Sequence, residues 1–140
     1  MSTDRVLLID DEVEFVEILA ERLRARGLEV EVAYSGMDGV KKSQVTKFDA
    51  VVLDFAMPGM DGIATLKALL AGTPDLQVML LTGQATIKTA VDATRLGAVD
   101  ILEKPMDITT LMEKIREARA RHVARAEERI RKQMQAAPKP

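Results

Sequence analysis

The chain has 140 residues, 47% of them hydrophobic, and a formal net charge of −2, enough for one domain with a real core but too little for two ordinary ones. It has no cysteine, which excludes a disulfide framework, a thiol nucleophile and a cysteine-held metal cluster. The opening residues, MSTDRVLLIDDE, carry an apolar run too short for a signal peptide or a membrane span, so a soluble, cytoplasmic protein is expected.

Five short apolar runs alternate with segments of helical period: VLLI (6–9) and then 13–26, LEVEVA (28–33) and then 36–47, AVVL (50–53) and then 63–71, VMLL (78–81) and then 86–96, VDIL (99–102) and then 107 onward. That alternation predicts an α/β domain, a doubly wound parallel sheet with helices on both faces. Val13, Val16, Ile18, Leu19 and Leu23 form the expected buried face of the first helix. Gly27, Gly72 and Gly97 punctuate the first, third and fourth helices. VLLI, AVVL and VMLL are continuously apolar, whereas LEVEVA alternates and VDIL is broken by Asp100. Continuous runs belong in the middle of such a sheet, so strands one, three and four are central and two and five outside, as in the doubly wound order 2-1-3-4-5.

The polar residues then collect on one edge. Strand one runs into Asp10 and Asp11, strand three into Asp54, strand four into Thr82 and strand five into Lys104. In a parallel sheet these C-terminal ends face one crevice, where such folds bind ligands. Carboxylates gathered there repel one another unless a cation compensates. Oxygen-only ligation by few protein groups suits Mg²⁺, with Mn²⁺ tolerated. Asp11 and Asp54 are the expected direct ligands, Asp10 binds directly or through water, and a backbone carbonyl just after Asp54, that of Ala56, completes the protein share. The crevice then accepts a phosphoryl group, with Asp54 as nucleophile, Lys104 neutralising charge and Thr82 donating a hydrogen bond.

Each residue taken singly has a plainer role. Asp10 or Asp11 is an N-cap for the helix beginning near Val13, Thr82 a strand-end hydroxyl bonded to backbone, and Lys104 a solvated charge at a turn. Their joint occurrence at four of five strand ends favours the phosphate and metal site.

The motifs IDDE, VVLDFAMPGMDG, LLTG and LEKP, in this order and separation, resemble the receiver domain of bacterial two-component response regulators. The likeness covers about residues 4–120 and implies a flavodoxin-like receiver fold. It implies that Asp54 is the phosphoacceptor, charged by a histidine kinase, a phosphotransfer protein or a small phosphodonor. It implies further that Asp10 and Asp11 are the metal pair, Thr82 the switch hydroxyl and Lys104 the phosphate-contacting lysine, with a cis Lys104-Pro105 bond. The implied output is a change at the surface of helix four, strand five and helix five, a switch rather than a turnover enzyme. LLTGQATIKTAVDATRLGAVDILEKP is similar to receivers of the nitrogen-regulator type. Departures from the pattern are Ala56 in place of a larger or polar residue, Gly83-Gln84 after Thr82, Ile101 in place of an aromatic, and a bulky Phe55 beside the nucleophile.

Residues 1–120 are read as the receiver and 121–140 as a basic helical extension with a disordered tail. Residues 108–140 carry nine Lys/Arg against four Asp/Glu, and the remainder eleven against eighteen. No Gly or Pro interrupts the helical pattern from Ile108 to about Gln135. Ile108, Leu111, Ile115 and Ala118 would pack on the sheet, after which the apolar stripe drifts to Val123, Ala126, Ile130 and Met134. Arg121, Arg125, Arg129, Arg131 and Lys132 are a solvated face or the flank of a dimerising coiled coil. A homodimer is expected to use either helix four, strand five and helix five or this long helix. No aromatics interleave with the basic residues, so specific nucleic-acid binding is not expected. His122 has no companions for a metal and is read as a seam or surface residue.

Three other functions compete. An Mg²⁺-dependent aspartyl-nucleophile phosphatase needs a second Asp two residues after the nucleophile, where Ala56 stands. A DNA-binding transcriptional regulator is compatible only with a longer chain, because no glycine-rich phosphate loop or helix-turn-helix follows. A flavin-binding electron carrier shares the fold class but not the acidic crevice.

Overall fold

The computed structural model describes residues 4–55, 62–83 and 87–136. The Ala56 carbonyl and Gln84 therefore lie outside the described residues. The elements are β1 (Arg5–Ile9), α1 (Val13–Ala25), β2 (Glu29–Ala33), α2 (Gly36–Val45), β3 (Ala50–Asp54), α3 (Gly62–Gly72), β4 (Val78–Thr82), α4 (Ile87–Arg95), β5 (Asp100–Glu103) and α5 (Ile108–Ala136). The five strands form one all-parallel sheet in the expected doubly wound order β2-β1-β3-β4-β5, with the continuously apolar strands central and the interrupted ones at the edges. Every residue of β3 and β4 is buried, whereas the edge strands β2 and β5 are mixed.

Alternation along the strands divides the core in two. Val6, Leu8, Val52, Met79 and Leu81 point to the face covered by Val16, Ala20 and Leu23 of α1 and by Leu111, Ile115 and Ala118 of α5. Leu7, Ile9, Val51, Leu53 and Leu80 point to the other face, against Phe48 and against Leu66 and Leu69 of α3. Burial of each large aliphatic contributes about 1.5–3 kcal/mol.

Two members of the expected α1 face are not in the core. Val13 and Ile18 are about half exposed, and Ala20 is fully buried in their place. Val16, Ala20 and Leu23 follow the 4-3 spacing of one face, from which Ile18, two residues after Val16, is turned away. α1 ends at an Arg26 cap followed by Gly27 at φ 93°, and Gly97 adopts φ 101° after α4. Both are left-handed positions that favour glycine.

α5 runs unbroken past the sheet. Its first turns are pinned by the buried Leu111, Met112, Ile115 and Ala118, and Lys114 Nζ lies 3.2 Å from Asp100 on β5. Among the described residues no helix is long and apolar enough to cross a membrane.

Candidate functional site

Register brings the strand-end side chains together. Ile9 pairs with Leu53, so Asp10 and Asp54 leave neighbouring strands at the same level; Asp54 pairs with Leu81, which puts Thr82 one step beyond on the next strand. Thr82 pairs with Glu103, and its carbonyl accepts the Lys104 N–H at 2.7 Å. The Lys104-Pro105 peptide is cis.

Asp10, Asp54 and Thr82 are all buried. Asp10 Oδ1 accepts the backbone N–H of Glu12 at 2.9 Å, a local turn that orients its carboxylate and leads into α1. Glu12, not Asp10 or Asp11, is the N-cap of that helix, and its side chain makes no capping bond. It turns to Lys104 instead. The Lys104 Nζ lies 3.1 Å from Asp10 Oδ2, 3.3 Å from Glu12 Oε1 and 3.7 Å from Asp54 Oδ1. It also stands 4.6 Å from the centre of the Phe15 ring, within cation–π range. Burial by itself would lower the Lys104 pKa, but the hydrogen bond to Asp10, the charges of Asp10 and Asp54 and the bond to Glu12 outweigh it and raise it above the ordinary 10.5.

One oxygen each of Asp10, Glu12 and Asp54 lies within 4.8 Å of the others. Three carboxylates share one ammonium, which leaves a charge deficit that a divalent cation would fill. Carboxylate oxygens are the hard donors that Mg²⁺ takes, so the residues fit that ion. Asp11 is exposed and is not one of the three.

Sequence reading located Asp10, Asp54, Thr82 and Lys104 at one edge but overlooked Glu12 and Phe15. The signal for both was their position: Glu12 opens the helix after the acidic pair, and Phe15 follows one turn later on the side toward Lys104.

Residues 6–116 match the family model described as the response regulator receiver domain. The chain is a member of that family. This receiver is 40% identical over 115 residues to the transcriptional regulatory protein ZraR of Salmonella typhimurium, an alignment covering 82% of this chain and 26% of the relative; it therefore spans about a quarter of that protein's length. Its fold is similar to a CheY-like receiver domain protein from Methanospirillum hungatei, with TM-score 0.83 and 27% identity, covering 89% of this chain and 99% of that one. It is also similar to a response regulator from Burkholderia pseudomallei solved with a phosphorylated aspartic acid, a calcium ion and citrate, with TM-score 0.76 and 29% identity, covering 91% of this chain and 74% of that one. The strand-end crevice with Asp54 and Lys104 lies within the matched residues.

Proposed function

We propose that this receiver is a phosphorylation-activated switch in which Asp54 accepts a phosphoryl group from a histidine kinase or a phosphotransfer protein. The observation that carries the reading is the buried Asp54 carboxylate with the Lys104 ammonium 3.7 Å away. A carboxylate oxygen of Asp54 attacks phosphorus, the donor's bond to phosphorus breaks, and an acyl phosphate forms. Lys104 leaves its place beside Asp10 and Glu12 to neutralise the added oxygens. Thr82, at the end of β4, donates its hydroxyl to one of them, which draws on the surface of α4, β5 and α5.

Mg²⁺, when bound, supplies positive charge at the phosphoryl oxygens. Asp10, Asp11 and Asp54 with the Ala56 carbonyl are the groups that would hold it, and Glu12 joins them by its placement. Mn²⁺ serves in the same role. The phosphorylated aspartate and calcium ion of the Burkholderia pseudomallei regulator support this assignment. The chain turns over no other substrate and loses its phosphoryl group by its own hydrolysis. It acts in the cytoplasm, and its partners are the phosphodonor protein and a second copy of itself.

Incubation with acetyl phosphate and Mg²⁺, followed by intact-protein mass spectrometry, tests the reading. One added phosphoryl group is expected on the wild type and none on Asp54→Asn or with EDTA. An adduct of equal yield on Asp54→Asn contradicts it.

A second reading makes this receiver one part of a DNA-binding transcriptional regulator. The name of ZraR and the 26% of its length that this chain spans favour it. Sequencing the encoding transcript decides: an open frame continuing into a DNA-binding module supports the reading, and a stop after Pro140 removes it.

A further inference from the structure

Lys104 rests off-centre in its crevice. Its backbone is fixed, because the Lys104 N–H donates to the Thr82 carbonyl at 2.7 Å, so the ammonium changes partners only by swinging the side chain. Three groups draw that ammonium toward β1 and α1: Asp10 at 3.1 Å, Glu12 at 3.3 Å and the face of Phe15, whose centre is 4.6 Å away. Asp54 stands on the other side at 3.7 Å, too far for a hydrogen bond.

Phe15 is the unusual member of this set. It lies in the first turn of α1, partly buried against the core face that includes Leu8, Val16 and Val52. Packing there asks only for an apolar side chain. The ring also borders the crevice, since Phe15, Asp10 and Asp54 line one gap of about 10 Å³, space for a single water at most. The Lys104 side chain is only 15% exposed, so its ammonium meets the ring largely out of water, where attraction to an aromatic face is stronger than at an exposed site. An aliphatic residue would serve the core and supply none of that attraction.

We infer that Phe15 is a positioning residue: it seats the Lys104 ammonium on the α1 side of the unphosphorylated chain and thereby sets how fast Asp54 takes up a phosphoryl group. The inference rests on the reading of Asp54 as phosphoacceptor. When Asp54 attacks acetyl phosphate, a carboxylate oxygen bonds to phosphorus, acetate leaves with the electron pair of the broken P–O bond, and Lys104 turns to the phosphoryl oxygens. The ring stabilises the lysine before that turn and not after it. Removing the ring raises the starting state and not the transition state, so uptake becomes faster. Hydrolysis starts with the lysine already on the phosphoryl group, so its rate stays the same. Damage to the core would act differently, slowing uptake or altering both rates.

Phe15→Leu keeps an apolar side chain and removes the aromatic face, whereas Phe15→Tyr keeps the face. With acetyl phosphate and Mg²⁺, followed by intact-protein mass spectrometry, Phe15→Leu should take up the phosphoryl group about three- to tenfold faster than wild type, with unchanged decay once the donor is removed. Phe15→Tyr should match wild type in both rates. The seat itself is read without phosphoryl chemistry, from the NMR signal of the Lys104 ε-methylene in chains carrying ¹³C-labelled lysine, assigned with Lys104→Met. That signal should be shifted upfield by the ring in wild type and Phe15→Tyr and not in Phe15→Leu. Uptake by Phe15→Leu that is unchanged or slower, a decay rate that changes with it, or a Lys104 signal that is the same in Phe15→Leu as in wild type would each overturn the inference. A wild type that takes no phosphoryl group overturns the switch reading, and the kinetic role of Phe15 falls with it, while the Lys104 signal still decides whether the ring seats the lysine.

Discussion

Lys104 is the residue on which both the stability and the chemistry of the crevice turn. Its ammonium is shared by Asp10, Glu12 and Asp54, so Lys104→Met leaves buried Asp10 and Asp54 without their cation. A loss of about 1–3 kcal/mol is expected from urea denaturation at neutral pH, partly recovered by added Mg²⁺. The pH dependence has a definite sign. With the folded-state pKa raised above 10.5, the stabilisation is complete below 10.5 and is lost as pH climbs through the folded value. The wild type should therefore lose stability at the alkaline end more steeply than Lys104→Met, and parallel alkaline limbs would show that the ammonium contributes little. Asp10, Asp54, Thr82 and Lys104 were legible in the sequence because each ends an apolar run, and parallel strands align their ends. Glu12 and Phe15 were not, because their part depends on how a long lysine side chain bends back from β5 to the start of α1.

At the level of elements, the apolar runs gave the strands to within a residue, since a buried parallel strand can carry little else. Helix faces were read less well: Val13 and Ile18 are apolar yet half exposed. Hydrophobic type alone does not fix a helix face: Ile18, two residues after Val16, is turned away from the core by the helical period. The start of α3 is tighter than its sequence suggests, because a Cβ on Gly62 would come within 2.4 Å of the Phe55 carbonyl oxygen. That contact is with backbone and joins the helix to the segment leaving Asp54. Gly62→Ala should cost about 1–3 kcal/mol in thermal or urea unfolding and slow phosphoryl uptake by acetyl phosphate; unchanged stability would show that α3 can shift without cost. The charges of distal α5 were visible in the sequence, but their acceptors were not. Asp4, Asp49, Asp75 and Gln77 are scattered along the chain and meet only because all precede strands on one edge.

For the whole molecule, the apolar runs separated central from edge strands and the doubly wound pattern supplied their order, while the first turns of α5 are held by the core on one face of the sheet. Leu111, Ile115 and Ala118 are fully buried, so Leu111→Ala should destabilise the domain by about 2–5 kcal/mol. Beyond Ala120 the helix adds polar contacts and little buried apolar surface. A chain ending at Ala120 is therefore expected to fold with a loss of only about 1–2 kcal/mol; failure to fold would show that the extension belongs to the domain itself. The two ends of the sheet hold different groups: the C-terminal edge gathers Asp10, Asp54, Thr82 and Lys104, and the acceptors before β1, β3 and β4 at the N-terminal edge hold distal α5. The claim on which this depends most is that Asp54 itself becomes the acyl phosphate. Borohydride reduction after exposure to acetyl phosphate and Mg²⁺ converts an aspartyl phosphate to homoserine, which tandem mass spectrometry locates in the peptide. Homoserine at position 54 and nowhere else is the predicted result; its appearance at Asp10 or Asp11 with Asp54 unchanged would contradict the account.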